Sequence, residues 1–196
     1  MKKLFTTVAM LLLPLTANAE GWYGGVAGGS ASVDTGVTAV SGATLDETGT
    51  GTSLFIGKEI DKGLSVEGFY ADLGEASLSG DNGDTFTLNG TAYQFNTTGS
   101  IAISSTTIGM AAKFKFDMGD TLRGYAKGGL HSWDSEAKVS TATASATATT
   151  DGTDILWGIG AEYGIGEKTA LLLGYDSYTL DDDTVNLLHA GILVKF

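Results

Sequence analysis

His131 and His189 are the only imidazoles in the chain, so general-base chemistry near neutral pH would run through one of them. His131 is followed by Ser132, with Asp134 two residues further on. These are the residue types of a base, a hydroxyl nucleophile and an orienting acid. Their spacing works against that role: neighbours on an extended chain point to opposite faces, so His131 and Ser132 do not meet. His189 falls on the inward face of its own strand. Oxygen-rich runs occur at Asp81-Asn82-Gly83-Asp84 and Asp181-Asp182-Asp183. Neither has the glycine at position six and the glutamate at twelve that a calcium loop needs. The sequence contains no cysteine, which excludes thiol catalysis and thiolate metal sites. These residues imply no catalytic site, no cofactor and no dedicated metal site.

The elements that must position these side chains are strands. No segment after residue 19 reaches the 18 consecutive apolar residues of a spanning helix, yet apolar and polar residues alternate with period two. Between Thr106 and Phe116, Ile108, Met110, Ala112, Phe114 and Phe116 share one face, and Thr107, Gly109, Ala111, Lys113 and Lys115 share the other. Ile155, Trp157, Ile159, Ala161 and Tyr163 alternate in the same way with Asp154, Leu156, Gly158, Gly160 and Glu162. Such runs predict strands at 22–32, 50–60, 64–74, 106–116, 121–132, 154–164, 169–179 and 185–196. Each has the length a tilted membrane-spanning strand needs, roughly 9 to 11 residues. The connections alternate between tight turns at 61–63, 117–120 and 165–168 and longer segments at 33–49, 75–105 and 133–153, with a short one near 180–184. Short periplasmic turns and longer outer loops are the pattern of a closed barrel in an outer membrane. The sequence therefore predicts an all-β, eight-stranded antiparallel up-and-down transmembrane β-barrel. Trp22, Phe116, Tyr163 and Phe196 would form its inner aromatic girdle, and Tyr70, Trp133, Trp157 and Tyr175 its outer one.

The N-terminus supplies the route. Lys2 and Lys3 precede an apolar run from Leu4 to Leu15, and Ala17-Asn18-Ala19 offers a small-x-small cleavage pattern, so residues 1–19 are expected to be a cleaved signal peptide and 20–196 the barrel domain. The formal charge is −12, and loss of Lys2 and Lys3 takes it to −14, which disfavours a nucleic-acid partner. The only proline, Pro14, lies in the signal, leaving a chain suited to unbroken ladders. The four outer segments carry Asp34, Asp46, Glu47, Glu75, Asp81, Asp84, Asp134, Glu136, Asp151, Asp181, Asp182 and Asp183 against the single base Lys138. Next to phosphate-bearing lipopolysaccharide such a surface would need bridging divalent cations. Within the second long segment, Asn89-Gly90 separates Thr85–Leu88 from Thr91–Phe95, a strong hairpin signal. This surface hairpin would set Phe86 opposite Tyr93 and Leu88 opposite Thr91, either packing over the barrel mouth or meeting an unidentified cell-surface partner. The Ser/Thr/Ala run from Ser140 to Thr150 reads as a mobile or strand-extending loop.

Several segments resemble the OmpA-like transmembrane domain and the small porin-like barrels related to it. Gly21-Trp22-Tyr23-Gly24-Gly25 is similar to that family's first strand, and Val66-Glu67-Gly68-Phe69-Tyr70-Ala71-Asp72-Leu73-Gly74 to its third. Ala112-Lys113-Phe114, Tyr125-Ala126-Lys127-Gly128-Gly129 and Gly160-Ala161-Glu162-Tyr163 resemble its fourth, fifth and sixth. Gly191-Ile192-Leu193-Val194-Lys195-Phe196 is similar to its assembly signal, whose terminal aromatic is read by the outer-membrane insertion machinery. The resemblance implies a Gram-negative outer-membrane protein in contact with lipid and lipopolysaccharide, non-enzymatic and contributing to envelope integrity. It also implies an inner-wall charge network at Glu67, Lys113, Lys127 and Glu162. A family cation falls where this chain has Leu172, so Arg123 or Lys115 are the expected substitutes. Two alternatives remain: a surface adhesin, and a barrel enzyme modifying lipid A.

Overall fold

The computed structural model describes residues 21–196; the expected signal peptide lies outside them. In chain order the strands are β1 (Trp22–Asp34), β2 (Val37–Ser41), β3 (Thr44–Asp46), β4 (Thr48–Asp61), β5 (Leu64–Gly80), β6 (Thr85–Leu88), β7 (Thr91–Gln94), β8 (Gly99–Asp117), β9 (Leu122–Thr141), β10 (Ser145–Gly164), β11 (Thr169–Leu180) and β12 (Asp183–Lys195). Eight long strands pair antiparallel in the order β5-β4-β1-β12-β11-β10-β9-β8, and a β5–β8 pairing closes the barrel. The ends of the chain meet in this wall, where Tyr23 pairs with Lys195 and the Phe196 amide donates to the Trp22 carbonyl at 2.9 Å. Closure leaves every spanning backbone group a partner, which a wall facing hydrocarbon requires.

The period-two pattern sorts the faces. Ile108 and Met110 on β8 are both 63% exposed, in what is the lipid-facing row, while Thr107, Ala111 and Lys113 at the alternate positions are buried inside. On β10, Ile155, Trp157, Ile159 and Tyr163 point outward and Leu156 and Glu162 inward. Trp157 and Tyr175 lie against each other outside, with ring centroids 5.8 Å apart.

Two expectations are corrected. Trp133 is not part of an outer girdle: it is 4% exposed, shares the inner face with His131, and its indole donates to Asp154 at 2.8 Å. The long outer segments are largely strand. The β8–β9 ladder runs from Asp117↔Arg123 out to Gly99↔Thr141, and β9–β10 continues to Ser140↔Ser145, turning at 142–144. These extensions are rich in Ser, Thr and Ala, and their two faces differ less than those of the spanning parts: Ile101, Ile103, Ala137 and Val139 continue the inward row, Asp134, Glu136 and Lys138 the outward one. On β5 a bulge between Asp72 and Glu75, with Gly74 at φ 78°, lets the strand continue outward.

Outside the wall, β2, β6 and β7 form a small separate sheet. Asn89 and Gly90 both have positive φ, as a tight hairpin turn demands. Phe86 pairs with Tyr93 and Leu88 with Thr91. Phe86 stacks on Tyr93 at 5.5 Å and meets Phe95 at 5.3 Å, leaving Leu88 and Tyr93 partly exposed.

Candidate functional site: the filled lumen

Inward-facing positions from all eight strands fill the barrel, and their character changes along its axis. At the tight-turn end, Glu59 on β4 accepts from Lys115 at 2.9 Å and from Lys195 at 3.3 Å. One layer further in, Lys113 on β8 lies 2.9 Å from Glu67 on β5 and 2.7 Å from Glu162 on β10. All three are buried, with Lys113 1% exposed. The Tyr23 hydroxyl donates to Glu67 at 2.9 Å, and the ammonium of Lys113 sits 4.2 Å from the ring centroid of Tyr125. A side chain on Gly160 or Gly174 would collide with the Tyr125 hydroxyl, so both glycines give that ring its room.

The third layer holds Asp176 on β11, which accepts from Lys127 at 2.7 Å, from His189 Nε2 at 3.1 Å and from the Tyr178 hydroxyl at 3.4 Å. Beyond it the inward positions become apolar: Leu187 and Val185 on β12, Leu73 on β5, Ala31 on β1 and Leu180 on β11 are all buried. Ion pairs thus occupy the tight-turn half, and the loop half holds hydrocarbon together with the uncharged hydroxyls of Thr107 and Ser105 and the ring of His131.

The expected charge network is distributed differently. Lys113 alone bridges Glu67 and Glu162, whereas Lys127 reaches across to Asp176, a residue the sequence reading omitted. Neither substitute cation enters that cluster: Lys115 pairs with Glu59, and Arg123, at the exposed rim, bonds Asp117 at 3.1 Å. Asp176 was detectable by parity, since it shares a strand face with Leu172, Gly174 and Tyr178, all buried.

The histidines are engaged as structural groups. Ser132 points outward, its hydroxyl donating to the Gly152 carbonyl at 3.2 Å, and so does not meet His131. Instead, His131 Nδ1 lies 2.7 Å from the hydroxyl of Thr107, which also lies 2.9 Å from the Ser132 carbonyl. Among the described residues no cluster of His, Cys, Asp and Glu suits a metal ion.

Comparison with known proteins places this architecture. The sequence matches the outer membrane protein beta-barrel domain family over residues 4–196. Similar solved structures include Ail, the attachment invasion locus protein of Yersinia pestis, with a TM-score of 0.54, 16% identity and coverage of 90% of this chain and 99% of that one. Ail has also been crystallised with the heparin analogue sucrose octasulfate. Neisserial surface protein A gives 0.53 at 18% identity, covering 92% and 100%. The outer membrane protease OmpT of Escherichia coli gives 0.51 at 7% identity, covering 94% and 99%. At such identities the likeness is one of fold, shared by an attachment protein and a protease alike. No curated protein sequence matches the chain significantly.

Proposed function

The chain belongs to the outer membrane protein beta-barrel domain family, and from that premise we propose that it is a non-enzymatic, non-conducting component of the bacterial outer membrane. It contributes to envelope integrity and presents an acidic surface to the outside. The observation that carries this reading is the occupied lumen. Eight strands enclose an interior that side chains can fill, and here Glu67, Lys113 and Glu162 in one layer and Lys127 and Asp176 in the next do so beneath a cap of Leu73, Val185 and Leu187. Export through cleavage after Ala19 and insertion through Phe196 complete the reading. The outward Ile108, Met110, Phe114 and Phe116 contact lipid, and the acidic loops meet lipopolysaccharide through divalent cations.

Against the lipid-modifying enzyme stands the separation of His131 from Ser132, whose hydroxyl faces outward onto the Gly152 carbonyl. A partner-binding role is the second reading, favoured by the stacked Phe86 and Tyr93 on a sheet outside the wall. Any such partner differs in charge from the polyanion bound by Ail, since twelve outer acids against Lys138 repel one.

Planar-bilayer recording of the purified barrel tests the proposal, together with the sensitivity of a deletion strain to detergent. The expected result is no persistent conductance of general-porin size and a detergent-sensitive envelope. Stable porin-sized channels would overturn the plugged lumen.

A further inference from the structure

The outer half of β10 has a partner on one side only. Its pairing with β11 begins at Leu156↔Tyr178, while its pairing with β9 continues past that point to Ser145↔Ser140. Among the described residues, Ser145–Thr153 therefore forms a free strand edge. The edge stands above the lipid band, because the outward row on β10 changes after Ile155 from Tyr163, Ile159 and Trp157 to Thr153, Asp151, Thr149 and Thr147.

The hydrogen-bond phase of the ladder identifies the groups at this edge. Thr141 N donates to Ala144 O at one end of the β9–β10 pair, and Gly164 N to Thr121 O at the other. With alternation, the even-numbered residues of β10 exchange bonds with β9 and the odd-numbered ones face away. Ile165 N donating to Thr169 O fixes the same phase on the β11 side. Ser145, Thr147, Thr149, Asp151 and Thr153 thus present unpaired N–H and C=O groups along an exposed strand without proline, a template for strand addition.

The side chains beside this edge define what would fit it. Asp151 lies directly opposite Asp134, and Thr149 opposite Glu136. Asp134↔Asp151 is a non-hydrogen-bonded pair, the closer of the two antiparallel spacings, and like charges placed so are unfavourable. None of these three acids has a salt bridge among the described residues, and Lys138, opposite Thr147, is the sole outer base. On the other face Ala146 and Ala148 lie opposite Val139 and Ala137, which in turn pair with Ile101 and Ile103 on β8. That face is apolar, with Val139 exposed.

We infer that the outer edge of β10 is a docking edge for an extended cationic polypeptide whose basic and apolar residues alternate. An antiparallel strand added there sets its basic residues on the face of Asp151, Asp134 and Glu136 and its apolar residues on the face of Ala148 and Val139. It supplies partners for the free backbone and relieves the carboxylate pair. This interaction is independent of the plugged lumen.

The test uses the whole barrel in nanodiscs, with residue-resolved amide exchange and the peptide Lys-Val-Lys-Val-Lys-Val-Lys. Exchange should slow at Thr147, Thr149, Asp151 and Thr153, while Ala146, Ala148 and Thr150, already bonded to β9, stay unchanged. Thr149→Pro removes only an edge-facing N–H, so the variant should fold, keep its heat-modifiable mobility and bind about tenfold more weakly. Asp151→Asn should weaken binding in the same direction. Three results would each overturn the proposal: no protection at the odd-numbered residues, equal binding by a peptide of the same composition with its lysines in one block, or undiminished binding by Thr149→Pro. Protection at the same residues that rises with protein concentration alone would assign the edge to a second copy of the chain and overturn it too.

Discussion

Lys113 on β8 and Glu162 on β10 are 2.7 Å apart although β9 runs between their strands. The contact crosses the lumen instead of following the wall. Since Glu67 sits on Lys113 from the other side, one ammonium compensates two buried carboxylates. Removing one partner from a buried ion pair strands charge in a medium that solvates it poorly, at about 3 to 5 kcal/mol. Lys113→Ala should lose about that much in urea unfolding from detergent micelles. Adding Glu67→Ala should recover part of it and leave Glu162 unpaired. Lys113→Met with Glu67→Gln and Glu162→Gln should come closest to the native stability. A Lys113→Ala barrel within about 1 kcal/mol of the native one would mean that the three groups do not depend on one another.

The wall gives a test one residue wide. Ala112 faces outward beside Phe114, and Ala111 is 3% exposed inside. Ala112→Leu should be nearly neutral, since lipid accommodates the added methyls. Ala111→Leu should overpack the lumen at about 1 to 3 kcal/mol. Ala112→Arg should cost roughly 2 to 4 kcal/mol, as a charge near the bilayer midplane does. Thermal unfolding of the three variants in one lipid decides the matter, and a larger loss for Ala112→Leu than for Ala111→Leu would place the strand inside out.

These sites differ in how far the sequence discloses them. The spanning parts of β8, β10 and β12 are legible because one face meets hydrocarbon and the other a packed interior, which imposes strict alternation. Their outward extensions are less so, because Ser, Thr and Ala carry little contrast between the faces; Ser145–Thr150 reads equally well as loop. Trp133 was assigned by its height along the chain when its parity with His131 already placed it inside. Lys127 was matched to the glutamates because sequence gives the lumen face of a side chain but not its depth. The barrel's stagger sets that depth and brings Lys127 to Asp176.

At the C-terminus, folding and assembly can be separated. Phe196 contributes one backbone bond, to the Trp22 carbonyl, so its removal should cost only about 0.5 to 1.5 kcal/mol in a refolded barrel. If the terminal aromatic is also what the insertion machinery reads, deletion should sharply lower the membrane-inserted yield in cells while detergent refolding proceeds nearly as before. Equal inserted yields of the truncated and full chains would leave Phe196 as an ordinary strand end.

The turn between β11 and β12 carries a pH signature outside the membrane. Asp181, at φ 58°, and Asp182 precede Asp183. The Asp183 carboxyl is pushed above its ordinary value by partial burial first, and then by the charges of Asp34, Asp182 and Asp181. A folded-state pKa above the unfolded one means that the folded turn holds the proton more tightly. The resulting stabilisation is complete below the ordinary aspartate range and is lost as pH rises through the elevated value. An NMR titration of the side-chain carboxyls should place Asp183 above the ordinary aspartate range. Asp182→Asn should bring it down, and Asp34→Asn should do so more strongly, because Asp34 is the larger of these charge contributions. The turn should correspondingly be more protected from amide exchange on the acid side, after correction for intrinsic exchange. An Asp183 that titrates in the ordinary range in the native barrel, and does not respond to Asp34→Asn, would show that water and counterions screen the rim completely.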